Sequence, residues 1–308
     1  MIKGPATLSS TKTIFFLSVI VFAISIPSIL TGQPGPAVFA GGGATWYYGD
    51  MNDRVICHEK LFSHYLTAGL LFPLSPKFSL SIAGVSGEVE GADSLAIQDF
   101  NRKRNLHFKT DLQQFAIHIE YSPFHFRGSG RSKVKPYLLA GIAWYQFNPV
   151  AVINGIETEL QPVGTEGQFI AENGYPEPYR LERLSMPLGI GVDIGISRVL
   201  SARVEVISHF TFFDYFDDVG GVYADSAKLA ATGNGTLAIQ LAGHNDTDYP
   251  DAGMQRGSSG SFDSYVFAGV KLLYAPFAGN KFKGGAGGRN NGNGHRKKKD
   301  RKACPAYR

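Results

Sequence analysis

One stretch limits what this chain can fold into more than any other. Residues 199–223 read VLSARVEVISHFTFFDYFDDVGGVY, and their first half alternates with a period of two. Leu200, Ala202, Val204, Val206, Phe210 and Phe212 fall on one face, and Ser201, Arg203, Glu205, His209 and Thr211 on the other. Successive strand side chains point to opposite faces, so this is a strand with one apolar side and one charged side. The alternation lasts about 14 residues, against about 5–6 in an ordinary globular strand. A tilted membrane-crossing strand needs about 9–11. The run then breaks into the acidic segment 214–218. It reads as a transmembrane strand, apolar toward lipid and polar toward a lumen, that opens into an extracellular loop.

Seven further runs read the same way, at about 37–48, 61–73, 78–90, 106–122, 135–148, 182–196 and 264–274. The clearest sets Leu184, Met186, Leu188, Ile190, Val192, Ile194 and Ile196 against Arg183, Ser185, Gly189, Gly191, Asp193 and Gly195. Connections alternate in length. Residues 74–76 and 197–198 are tight turns and 123–134 a medium link, whereas 49–60, 91–105, 149–181 and 214–263 are long. Short turns at one end and long loops at the other are the signature of an outer-membrane barrel. The expected fold is therefore all-β, an eight-stranded antiparallel transmembrane barrel over residues 36–275. An even strand number places both termini on the periplasmic side. Lipid cannot hydrogen-bond an open sheet edge, so the sheet must close. Eight strands leave an interior wide enough only for side chains. The expected lumen network is His118, Glu120, Asp193, Arg203, Glu205, His209 and Lys271. Both signs of charge are present, as in a plug of mutual ion pairs rather than an open channel.

The ends differ from the body. Lys3 and Lys12 precede an apolar run over residues 14–30 that Pro27 interrupts. A basic start and a short apolar core describe a cleaved export signal, taken as residues 1–32, with cleavage after Gly32 or after Ala40. Ten of the chain's 30 Lys and Arg residues lie after Tyr274, against one acid there, Asp300. Residues 276–308 are rich in Gly and Asn and lack apolar periodicity, so they read as a disordered basic tail. Arg296, Lys297, Lys298, Lys299, Arg301 and Lys302 are its candidate partner-binding residues. In the periplasm such a tail would meet an acidic protein or anionic headgroups, not nucleic acid. Cys57 and Cys304 are too few for a disulfide framework and lack metal-site spacing.

Asp214, Asp217, Asp218 and Asp225, with Glu166, form an acidic loop set. Clustered carboxylates can hold Ca²⁺, which takes six to eight oxygen ligands, but the EF-hand spacing is absent. The plainer reading has them cap backbone N–H groups and pair with Arg180 or Arg183. No cofactor is implied. His58, His64 and His209 are the histidines an enzyme could use, but no nucleophile motif accompanies them.

Several short motifs occur in order. They are Tyr47-Tyr48-Gly49-Asp50 after Trp46, Lys135-Pro136-Tyr137, Phe147-Asn148-Pro149, Leu160-Gln161-Pro162, Thr165-Glu166-Gly167-Gln168, and Asp214 to Val219 reading DYFDDV. In this order they resemble an outer-membrane barrel family with YxGD, PY…FNP, TEGQ and DYxDDV motifs. That family is similar to the outer-membrane barrel subunit of the type IX secretion system. The resemblance covers residues 37–274, and the long basic tail departs from it. It implies a non-enzymatic barrel that anchors or organises a periplasmic secretion assembly, with outer-membrane lipid and periplasmic protein as partners. The runner-up is a barrel for small-molecule transport or ligand binding, against which the charged lumen counts.

Overall fold

The structure, a computed structural model, describes residues 35–52, 58–124, 134–243, 249–258 and 260–276. The expected signal at 1–32, both cysteines and the six basic tail residues lie outside them.

The described residues form nine strands: β1 (Ala37–Tyr48), β2 (Ser63–Pro73), β3 (Phe78–Ala92), β4 (His107–Tyr121), β5 (Val134–Ile153), β6 (Ile156–Glu159), β7 (Glu182–Gly195), β8 (Leu200–Phe210) and β9 (Ser264–Tyr274). All pairings are antiparallel. Each strand pairs with the next around a ring of eight, with β6 outside it. β9 returns to β1, Val38 opposite Tyr274 and Tyr48 opposite Ser264, so the barrel is closed. The β5–β7 ladder holds one register but lacks pairs between Ala140–Leu188 and Ala143–Ser185. Pro187 sits in that gap and has no N–H to give.

Two of the tight turns are built alike. Leu74 and Ser75 donate their N–H groups to the Phe78 carbonyl, as Ile196 and Ser197 do to Leu200. Ser75 Oγ accepts from the N–H of Lys77 and Phe78, and Ser197 Oγ from Val199 and Leu200. The serine side chain satisfies turn donors that the ladder cannot reach.

The period of two fixes what each face meets. On β5 and β7, Ile142, Leu184 and Ile190 are each 60 % exposed or more, while on β8 and β9 Glu205 and Lys271 fall to 3 % and 6 %. A soluble protein rarely leaves so wide an apolar band in water. In hydrocarbon the same band is the stable surface. The lumen is filled in three layers. Phe39, Leu71, Ala83 and Leu273 close the end nearest the tight turns. Charged groups occupy the middle. Above them Tyr65, Phe267, Tyr265 and Tyr145 begin an aromatic core that continues into the loops.

Two features of the loops were not legible. β5 runs five residues past its expected end and turns back into β6 through Asn154 and Gly155, with φ of 51° and 78°. This pair is a two-residue hairpin signal that lay inside a stretch read as one long loop. The loops also carry helices α1 (Asp99–Arg104), α2 (Ser226–Ala230) and α3 (Gly235–Ala242).

Two outcomes follow from the strand faces. Ile190→Arg, at the middle of the band, should cost about 2–4 kcal/mol of stability and Ile196→Arg, at its edge, about 0–1. Urea titration in lipid vesicles reads both, and equal costs would contradict the depth assigned to β7. Cleavage after Ala40 would remove residues 37–40, including Phe39 of the apolar layer and the pairings of residues 38–40 with β9. Intact-mass analysis of the exported chain should therefore show a start at Gln33.

Candidate functional site

The lumen brings all seven expected polar residues inside the wall. Arg203 is the hub. Its Nη1 donates to both carboxylate oxygens of Glu120 at 2.9 Å, and its Nε to Asp193 at 3.1 Å. Its guanidinium lies 4.8 Å from the centre of the Tyr137 ring. Tyr137 in turn donates its hydroxyl to Glu205 at 2.8 Å. Lys271 pairs with Glu205 and sits 4.9 Å from the Phe39 ring. His209 is held apart from these ion pairs, stacked on Tyr265 at 4.6 Å with Nδ1 3.3 Å from Ser185 Oγ. His118 is buried beside them. Each buried charge has an opposite charge within reach, the condition under which such groups are tolerated away from water.

The long loops form a second buried polar system on top of the barrel. Two carboxylates at its base share few donors. Tyr47 Oη lies 2.7 Å from Asp217 Oδ2 and 2.6 Å from Asp263 Oδ1. Asp217 also accepts from the Val219 N–H, and Asp263 from the Phe216 N–H. One hydroxyl has one proton to give. With both acids fully buried, one must keep its own proton and donate it to Tyr47. Burial accordingly pushes the carboxyls of Asp217 and Asp263 well up, and their mutual repulsion adds to this for Asp263. Gly49 lies directly over this contact. A Cβ there would meet Tyr47 Oη and Asp263 Oδ1, each at 2.0 Å.

Asp218 accepts from Thr165 Oγ1 at 2.5 Å and from Tyr179 Oη at 2.7 Å. Glu166 accepts from the N–H groups of Gly220 and Gly221 and pairs with Arg256 at 2.8 Å. Gln168 Oε1 accepts from the Glu166 N–H. Gly164 and Gly167 have φ of 71° and 83°, so the glycines around this motif are turn requirements. Phe147 stacks on Phe216 with centres 5.2 Å apart. The YxGD, FNP, TEGQ and DYxDDV motifs thus meet in one cap.

The acidic set does not converge on a cation. Asp217 and Asp218 serve different hydroxyls, and Asp225 caps α2 by accepting from the Lys228 N–H. Burial raises Asp214 to about 8. Among the described residues no three His, Cys, Asp or Glu side chains form a metal-holding group. The basic partner also differs from expectation. It is Arg256, not Arg180, which is exposed, or Arg183, whose guanidinium lies 4.1 Å from the Phe213 ring. Arg104 does the same work beside it, bonded twice to Asp93 at 2.7 Å. Arg104, Arg256, Asp93 and Asp263 carried no pattern in the sequence. Arg104 ends a short run of basic residues on α1 and the other three stand singly, and only the fold shows that they are buried.

No family model matches the chain, and no curated protein does. Solved structures do. Neisserial surface protein A is 7 % identical, over 80 % of this chain and 99 % of its own, with a TM-score of 0.38. The N-terminal β-barrel domain of Pseudomonas aeruginosa OprF is 10 % identical, over 79 % and 100 %, at 0.32. A major outer membrane protein from Thermus thermophilus is 13 % identical, over 78 % and 99 %, at 0.35. The assignment of a closed eight-stranded barrel of the outer-membrane type rests on this chain's own ladder and apolar band.

The raised acids fix the sign of the cap's pH dependence. A carboxyl whose pKa is higher in the folded state stabilises the fold below the unfolded value, near 4, and loses that contribution as pH rises through the folded value. For Asp214 that window ends at about 8. The loops should be less protected from hydrogen exchange at pH 9 than at pH 5, with Asp214→Asn flattening part of the change. Loosening at pH 5 instead would contradict the proton shared through Tyr47. Gly49→Ala should open the cap at either pH while the strands stay protected.

Proposed function

We propose that the protein is a non-enzymatic outer-membrane barrel, both termini periplasmic, that anchors or organises a periplasmic assembly. By the resemblance of its motifs, that assembly is a secretion machine of the type IX kind. The observation that carries this reading is the filled interior. An apolar layer, an ion-paired layer and an aromatic layer succeed one another, and the loop cap covers the last. A barrel filled in this way acts through its surfaces. The motifs support the family reading because the buried contacts give their residues interlocking roles. The tail supplies a periplasmic surface, with six Lys and Arg in the eight residues 295–302.

Planar-bilayer recording should show no stepwise conductance, and steady channel openings would favour small-molecule transport instead. Cross-linked pull-down from outer membranes should retrieve a periplasmic protein. Charge attraction is screened over about 8 Å at physiological salt, so retrieval should weaken as salt rises. Truncation after Ala275 should abolish retrieval and leave heat-modifiable gel mobility unchanged. Retention of the same partner by the truncated barrel would refute the role given to the tail.

A further inference from the structure

The cap holds a cleft of about 270 Å³ between the segment following β1, the α1 segment and residues 255–258 with Ser261. We propose that this cleft is a binding site for a neutral carbohydrate, one sugar unit of an oligosaccharide. The proposal does not depend on the secretion reading.

Two aromatic rings stand at the cleft, Tyr48 at the end of β1 and Phe100 on α1, the latter 46 % exposed. Phe100 is kept in place by the Arg104 guanidinium, 5.8 Å from its ring centre. An exposed ring costs hydration and offers a flat apolar face, which matches the C–H face of a pyranose. The floor is polar. Asn52 and Asn101 are buried, with Nδ2 atoms anchored on the carbonyls of Tyr47 at 2.5 Å and Asp50 at 3.0 Å. The Asp50 carboxylate is oriented by the Ser258 N–H at 2.9 Å. Gln255 is exposed at the mouth. Amides offer both donors and acceptors and a carboxylate accepts only. A hydroxyl-rich ligand can satisfy that mixture, because each hydroxyl both donates and accepts.

Charge sets the class of sugar. Arg104 and Arg256 border the cleft, but both are already matched inside the protein, by Asp93 and by Glu166. No surplus positive charge remains among the lining residues to hold a phosphate or sulfate, and Asp50 repels one. The polar floor disfavours an apolar ligand, which would leave it unpaired. The site lies beside the last residue of β1, at the outer rim of the apolar band. The sugar of an outer-leaflet glycolipid and a soluble glycan could therefore both reach it.

Saturation-transfer NMR and calorimetry on the full chain in detergent test the proposal. The probes are maltotetraose, chitotetraose and the uncharged hexose oligosaccharide of the lipopolysaccharide outer core, freed of lipid A, Kdo and phosphate, with sulfated dextran as the charged comparison. At least one of the first three should bind, with an affinity that 0.5 M salt leaves unchanged. Gln255→Ala is a surface change, Phe100→Ala removes one ring contact of Arg104 but leaves its two bonds to Asp93, and each should weaken binding about tenfold or more. Heat-modifiable mobility confirms that the variants fold. Binding of the core oligosaccharide alone assigns the site to the membrane's own glycolipid, and binding of the other two assigns it to soluble glycans. No binding by any of the three neutral probes to the folded protein overturns the proposal. So does binding that both variants leave intact, or binding confined to sulfated dextran and abolished by salt.

Discussion

Hydrocarbon cannot accept or donate a hydrogen bond, and the rest of this structure follows from that. Every backbone N–H and C=O within the membrane must find a partner in the chain, so the sheet closes from β9 onto β1. Closure at eight strands fixes a narrow interior. That interior is then lined by every second residue of every strand. Polar residues placed there must satisfy one another. Arg203 meets two carboxylates and an aromatic face, and Lys271 meets Glu205. Removing one partner would strand the other as a buried charge, a loss of several kcal/mol.

The cap obeys a different constraint. It is built from loops, whose backbone groups have no ladder to join. Side-chain carboxylates take over that task, on Phe216, Val219, Gly220, Gly221, Ser258 and Leu106. The result is an excess of buried acids over cations. Arg104 and Arg256 serve Asp93, Glu166 and Asp218, leaving Asp217 and Asp263 with hydroxyl and amide donors. A retained proton completes the balance, which ties the order of the loops to pH.

Strand positions and faces were legible because lipid imposes one rule on the outer residues of all eight strands. The alternation of Leu184 to Ile196 states which way β7 faces without reference to any other strand. The lumen partners were legible as a set and not as pairs, since strand register decides that Arg203 meets Glu120 from β4, 83 residues away. The cap was hardly legible. Its motifs could be picked out, but Asp217 and Asp263 meet at Tyr47 from segments 170 and 216 residues distant. Arg256 stands among serines and glycines with no periodicity to mark it as buried. Asn154-Gly155 was a local signal available in the loops, and the length of the surrounding segment concealed it.

The same division explains where specificity can arise in such a molecule. The lipid face must stay apolar and the lumen must stay mutually paired, so neither is free to recognise anything. What remains is the basic segment after the barrel and the outer surface of the cap. The cap is rigid because its acids, arginines and aromatic rings lock four loops together. Rigid polar groups bind with little ordering cost. Asn52, Asn101 and Asp50 are each fixed by a contact made for the sake of the fold. The cleft between them is therefore preorganised by the same bonds that satisfy the loop backbone, and its selectivity for uncharged ligands follows from the internal neutralisation of Arg104 and Arg256.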